Sequence, residues 1–208
     1  LMQPIEVKTE FGLLVAMSIG FLVPDEQATV WRGPMASSAF NQLLNETAWP
    51  ELDDLLIDMP PGTGDIQLTL AQKVPVAGAV VVTTPQDISL IDAKKGMAMF
   101  DQVSVPVLGL IENMSFHTCE NCGHQSHIFG ENGGESLAKA AAVPMLGKLP
   151  LSINIQQQVD NGHCTVLTDS ASDIAINYRK IAQNMVAELF YNLDMNSPMT
   201  ADFDITEE

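Results

Sequence analysis

Three short apolar runs without polar alternation constrain this chain most: Leu55-Leu56-Ile57, Ala79-Val80-Val81-Val82 and Val107-Leu108-Gly109-Leu110-Ile111. A strand with one wet face alternates polar and apolar residues, whereas a strand covered on both faces reads as unbroken Val, Ile and Leu. Such strands need helices above and below them, and segments of helical period do separate the runs. The pattern predicts strands over 18–23, 54–58, 78–84, 105–112 and 145–149, and helices over 35–45, 66–72, 90–102, 135–142, 153–160 and 171–193. This alternation is that of an α/β fold, a mostly parallel β-sheet covered by helices on both faces. In the last helix Ile174, Tyr178, Ile181, Met185, Leu189 and Leu193 form one apolar stripe that packs on the body of the domain. The expected organisation is one domain over 1–193 and an acidic flexible tail over 194–208.

Charge and cysteine content narrow the function classes. Nine Lys and Arg against 26 Asp and Glu leave a net charge of −17 among 208 residues. A surface this acidic repels phosphate backbones, which excludes nucleic acid as a partner. The longest apolar stretch, 13–23, is broken by Ser18 and Gly20 and falls short of the ~18 residues that read as a membrane span. Neither a transmembrane helix nor a secretory signal is readable, and three cysteines make no disulfide framework. The expected compartment is a reducing cytoplasm, where a close Cys pair binds metal or does redox chemistry. The first residue is Leu1, from which a cut chain is expected.

Two constellations carry chemistry. In Leu55-Leu56-Ile57-Asp58-Met59-Pro60-Pro61-Gly62-Thr63-Gly64-Asp65, an apolar strand ends in a carboxylate. That places Asp58 at the carboxyl edge of a parallel sheet, where open α/β folds bind ligands and where a carboxylate can order Mg²⁺. Gly62 and Gly64 follow two prolines in a stiff turn whose free N–H groups can approach a phosphate, and Asp65 can cap the next helix. A strand, turn and cap without ligand is the plainer alternative.

The second constellation is His117-Thr118-Cys119-Glu120-Asn121-Cys122-Gly123-His124, with His127 following. Two thiolates two residues apart can bite one metal ion, but two ligands do not complete a tetrahedron. Either His117, His124 or His127 closes a zinc site within the chain, or a second subunit supplies the missing thiolates, as four-cysteine ligation of a [4Fe–4S] cluster requires. Spacing alone leaves zinc, cluster and no metal open. Asn113 follows the strand over 105–112 and so lies at the same sheet edge, while Cys164 and His163 acquire no role.

Taken together, the strings over 18–22, 31–35, DMPPGTGDIQLTLAQ (58–72), VVTTPQDISLIDAKKG (81–96), PVLGLIENMS (106–115) and CENCGH (119–124) resemble the Mrp/ApbC family. These are iron–sulfur cluster carrier ATPases of the deviant P-loop class that includes the cell-division ATPase MinD. The resemblance runs from about Ser18 to Arg179. It implies that Asp58 is the Walker B aspartate of the Mg²⁺ shell and that the segment from Pro60 to Asp65, with Gly62 and Asp65, is the γ-phosphate switch. It further implies that Asn113, with Pro150 and Leu151, lines the adenine of ATP, and that Cys119 and Cys122, in a loop over 115–128, bridge a [4Fe–4S] cluster across a homodimer. The cluster would pass to apo-proteins. One departure stands out: no G-x-x-x-x-G-K-[ST] or deviant GKGGxGK string occurs in these residues. In the family that loop precedes the equivalent of Ser18, so the chain is expected to be the C-terminal portion of such an ATPase, incomplete at the N-terminus. The rivals are a non-catalytic interaction module with structural zinc and a membrane-positioning ATPase; the second requires a basic amphipathic tail, and the tail here is acidic.

Overall fold

The computed structural model describes residues 1–10, 12–22, 33–59, 67 and 74–196. They fall into two compact units, Leu1–Val74 and Pro75–Glu208. Among the described residues no helix is long and apolar enough to cross a membrane.

The first unit opens with an antiparallel hairpin absent from the sequence-based expectation: β1 (Ile5–Thr9) pairs with β2 (Gly12–Ala16), Ile5 opposite Ala16 and Thr9 opposite Gly12. The strand expected over 18–23 is instead a 3₁₀ turn, Ile19–Phe21. The Ser18 hydroxyl accepts the Gly20 N–H at 3.2 Å, a local bond that competes with strand pairing. Helix α1 (Gly33–Asn45) follows, and beyond it Thr47 Oγ1 and Trp49 Nε1 donate to the carbonyls of Leu43 and Leu44, closing the helix end.

The strand expected over 54–58 does not form either. Residues 54–58 have no regular structure, and Leu56 is 80% exposed. An apolar run becomes a strand only where a neighbouring strand takes up its N–H and C=O groups, and none lies beside it among the described residues. The helix expected over 66–72 lies outside the described residues except for Gln67, which is helical and buried.

The second unit carries the sheet. Strands β3 (Ala79–Thr83), β4 (Val107–Thr118) and β6 (Met145–Pro150) are parallel with β4 in the centre, and the short β5 (Gln125–Ser126) returns antiparallel along the far end of β4. Helices α2 (Asp87–Gln102), α3 (Gly133–Ala141), α4 (Ile153–Asp160), α5 (Thr165–Thr168) and α6 (Asp173–Asn196) surround it. Successive strand residues point to opposite faces, and both faces are filled. On one, Val81 and Val107 pack with Ala93, Met97 and Phe100 of α2 and Leu137 of α3. On the other, Val80, Ile111, Leu146 and Leu149 pack with Tyr178, Ile181 and Met185, members of the stripe read from α6. Asn184 Nδ2 donates to Leu146 O at 2.8 Å, fixing α6 along β6. The doubly covered parallel sheet is therefore present, and α6 runs three residues past the predicted end.

Candidate functional site

One strand positions most of the candidate residues. From Val107 to Ile111, β4 is core; beyond Ile111 its pairing with β6 is irregular, Glu112 lying opposite Lys148 and Phe116 opposite Pro150. Between them the backbone bulges: Met114 has φ of 55° and donates its N–H to Asn113 Oδ1 at 2.9 Å. That bond engages the side-chain oxygen of Asn113, whose NH₂ group is a donor. Pro150 ends β6, and Leu151 is strapped to β4 by its N–H to Phe116 O (2.7 Å) and by His117 Nδ1, which donates to Leu151 O (3.2 Å). Pro150 and Leu151 thus lie beside Phe116 of β4, three residues past Asn113, where the pairing of β4 with β3 has already ended at Glu112.

Past the sheet, β4 continues as an arm. His117 pairs with Ser126 and Thr118 with Gln125, and the chain turns over between them. Cys119 N donates to His124 O at 2.9 Å and Gly123 N to Cys119 O at 2.8 Å, a tight turn for which Gly123 adopts φ of 69°. The turn presents two free thiols, Cys119 partly exposed and Cys122 exposed. The Asn121 N–H, then the Cys122 N–H and the Cys122 thiol, hold the Cys119 thiol below its ordinary range, outweighing partial burial and Glu120. In metal-free protein, therefore, the alkylation rate of Cys119 is expected to reach half its maximum at a lower pH than that of a cysteine in an unstructured peptide; mass-spectrometric mapping of iodoacetamide adducts against pH checks this. A midpoint at or above that of a cysteine in an unstructured peptide would contradict it.

The two thiols fit a metal centre as a pair of its ligands. Among the described residues no three His, Cys, Asp or Glu side chains gather about one point. His117 and His127 use Nδ1 on the carbonyls of Leu151 and Ser115, and His127 Nε2 lies 3.8 Å from Glu131. The turn therefore offers two sulfur ligands. Asp58 lies exposed in the irregular segment of the first unit, while Gly62 and Asp65 fall outside the described residues.

Sequence reasoning missed Glu112, which is fully buried. Its Oε1 accepts the Ser115 hydroxyl and its Oε2 the Gly134 N–H, both at 2.5 Å. The available signal was an acid directly after the apolar run Val107–Ile111, followed by the Gly133-Gly134 pair at the head of α3.

The fold is that of the MinD-like P-loop NTPases. The cell-division ATPase MinD of Pyrococcus furiosus shares it at a TM-score of 0.52 and 20% identity, over 73% of this chain and 56% of that chain. The family model described as ParA, NUBPL iron-transfer P-loop NTPase, matches residues 1–186, and the chain belongs to that family. The iron-sulfur cluster carrier protein of Escherichia coli K12 is 57% identical over 178 residues, 86% of this chain and 48% of that protein. The iron-sulfur cluster transfer protein NUBPL of Mus musculus is 46% identical over 189 residues, 91% of this chain and 58% of that protein. A nucleotide-binding protein of Archaeoglobus fulgidus, solved in complex with ADP, superposes with a TM-score of 0.62 at 34% identity, covering 77% of this chain and 60% of that one. The chain spans about half the length of the bacterial carrier it matches.

Proposed function

We propose that this chain is the cluster-binding and switch portion of an ATP-dependent iron–sulfur cluster carrier of the cytoplasm, a P-loop ATPase in its intact form. The observation that carries the reading is the pair Cys119, partly exposed, and Cys122, exposed, in the turn that follows the strand holding Asn113. Two thiolates from one chain and two from a symmetry mate complete the four-cysteine set of a [4Fe–4S] cluster. Ligation at the tip of an exposed arm suits a cargo that must be released to apo-proteins. The names of the bacterial and mouse relatives support carriage, and the ADP-bound relative supports nucleotide binding.

In this reading the Asn113 NH₂ group meets a ring-nitrogen acceptor of adenine, with Pro150 and Leu151 against the base. Asp58 orders the Mg²⁺ shell, and Gly62 and Asp65 belong to the switch that follows the γ-phosphate. Nucleotide turnover moves that switch and so biases cluster loading against release.

Anaerobic reconstitution with ferrous iron and sulfide tests the reading. The expected product is a dimer holding about four iron and four sulfide per two chains, which dissociates as a chelator removes the iron. One tightly bound zinc per chain, unaffected by dilution, would replace this reading with a structural zinc module.

A further inference from the structure

Glu112 is 0% exposed, yet no Lys, Arg or His lies within ion-pair distance of it among the described residues. Lys148, its neighbour on β6, turns its ammonium to Glu135 at 2.9 Å instead. A buried carboxylate without a cation is tolerated only where its oxygens are hydrogen-bonded. One oxygen faces the N-terminus of α3, where the helix dipole concentrates partial positive charge. This helix has no local cap: Asn132 adopts φ of 58° and its side chain makes no capping bond. The cap comes from another element, 22 residues earlier in the chain. Glycine permits the approach, since a Cβ on Gly134 would stand 2.6 Å from Glu112 Oε2.

The other carboxylate oxygen holds Ser115, which is 1% exposed. The carbonyl of Ser115 in turn accepts from His127 Nδ1 at 2.9 Å, just beyond β5. α3, Glu112, Ser115 and His127 are therefore linked in series, Ser115 meeting Glu112 through its hydroxyl and His127 through its backbone carbonyl. The Asn113–Met114 bulge sits inside this clamp. The arm pairs with β5 at two residues, and Phe116 and His117 bond Leu151 on its other side.

We propose that Glu112 is a positioning residue: through Ser115 and His127 it clamps the cysteine arm and the Asn113 bulge to the start of α3. The consequence for cargo rests on the carrier reading above; the clamp does not. It acts on the sulfur ligands from outside their own coordination, as partners behind metal ligands commonly do.

Amide hydrogen exchange and chelation on the complete chain test it together. Ser115→Ala leaves Glu112 on α3 and His127 on the residue 115 carbonyl but cuts the link between Glu112 and the arm: exchange over 116–127 is expected to rise about fivefold with α3 unchanged. In the reconstituted protein, bipyridyl is expected to remove iron about tenfold faster from this variant than from the parent chain. Glu112→Gln loses an acceptor and the charge, so exchange rises both over 116–127 and in the first turn of α3. Where that variant does not fold, Ser115→Ala decides alone. Unchanged exchange over 116–127 in Ser115→Ala overturns the clamp. Faster exchange without faster iron loss overturns its bearing on the cargo. A parent chain that takes up no iron defeats the carrier reading, and exchange in the metal-free protein then decides the clamp.

Discussion

Serine at both Cys119 and Cys122 is expected to lower iron and sulfide uptake on anaerobic reconstitution by on the order of a hundredfold or more, since even residues behind the ligands cost 10- to 100-fold. The ligand is the thiolate, and a serine hydroxyl neither ionises near neutral pH nor matches soft iron–sulfur chemistry. At Cys119 the loss is compounded, because the N–H groups of Asn121 and Cys122 favour the negative sulfur there. In a two-fold assembly each single substitution removes two of four ligands, so Cys119→Ser and Cys122→Ser should each approach the double variant instead of adding. The turn does not depend on the sulfur atoms: its backbone bonds from Cys119 N and Gly123 N and the conformation of Gly123 remain, so far-UV circular dichroism should not change. Cys164 is the internal control. It is exposed at the head of α5, and Cys164→Ser should retain full uptake. Colorimetric iron and sulfide assays decide the matter: full uptake by the double variant removes Cys119 and Cys122 as ligands, and loss in Cys164→Ser relocates the site.

The parts of this molecule legible from sequence are those whose cause is local. The runs Ala79–Val82 and Val107–Ile111 lie where strands were expected because a strand buried on both faces admits little but apolar residues. The spacing of Tyr178, Ile181 and Met185 names the face of α6 that meets β6. Composition could not say whether a run finds a partner. Leu55-Leu56-Ile57 has the same character as the core strands yet forms no strand and leaves Leu55 and Leu56 exposed, because strand formation depends on a neighbour. The cysteine pair and its polar flanks were readable, but the two-residue β5 was not, since its pairing is imposed by β4 across the turn. The role of Glu112 was not decided by its sequence signal for the same reason. An acid after a strand can face solvent, metal or a helix end, and only the fold brings α3 to it.

Gly134→Ala and Gly96→Ala are expected to shift stability in opposite directions. Both glycines lie in helices, where alanine is favoured by up to ~1 kcal/mol. At Gly96, within α2, an added methyl meets nothing within 4 Å, so propensity acts unopposed and the variant should melt about 2 °C higher. At Gly134 the methyl would stand 2.6 Å from Oε2, 3.1 Å from Cβ and 3.2 Å from Cδ of Glu112. Because Glu112 is fully buried and pinned by Ser115, it has no free rotamer into which to retreat. Either the helix end lifts, or the carboxylate gives up the Gly134 N–H. Overpacking of 1–3 kcal/mol and a lost charged hydrogen bond of 1.5–3 kcal/mol, set against the propensity gain, leave a net destabilisation of about 3 kcal/mol. In a chain of this size that lowers the melting midpoint by about 10 °C. Differential scanning calorimetry on both variants separates the terms. A Gly134→Ala chain as stable as Gly96→Ala would mean that Glu112 yields freely, and a carboxylate that yields freely cannot clamp the cysteine arm.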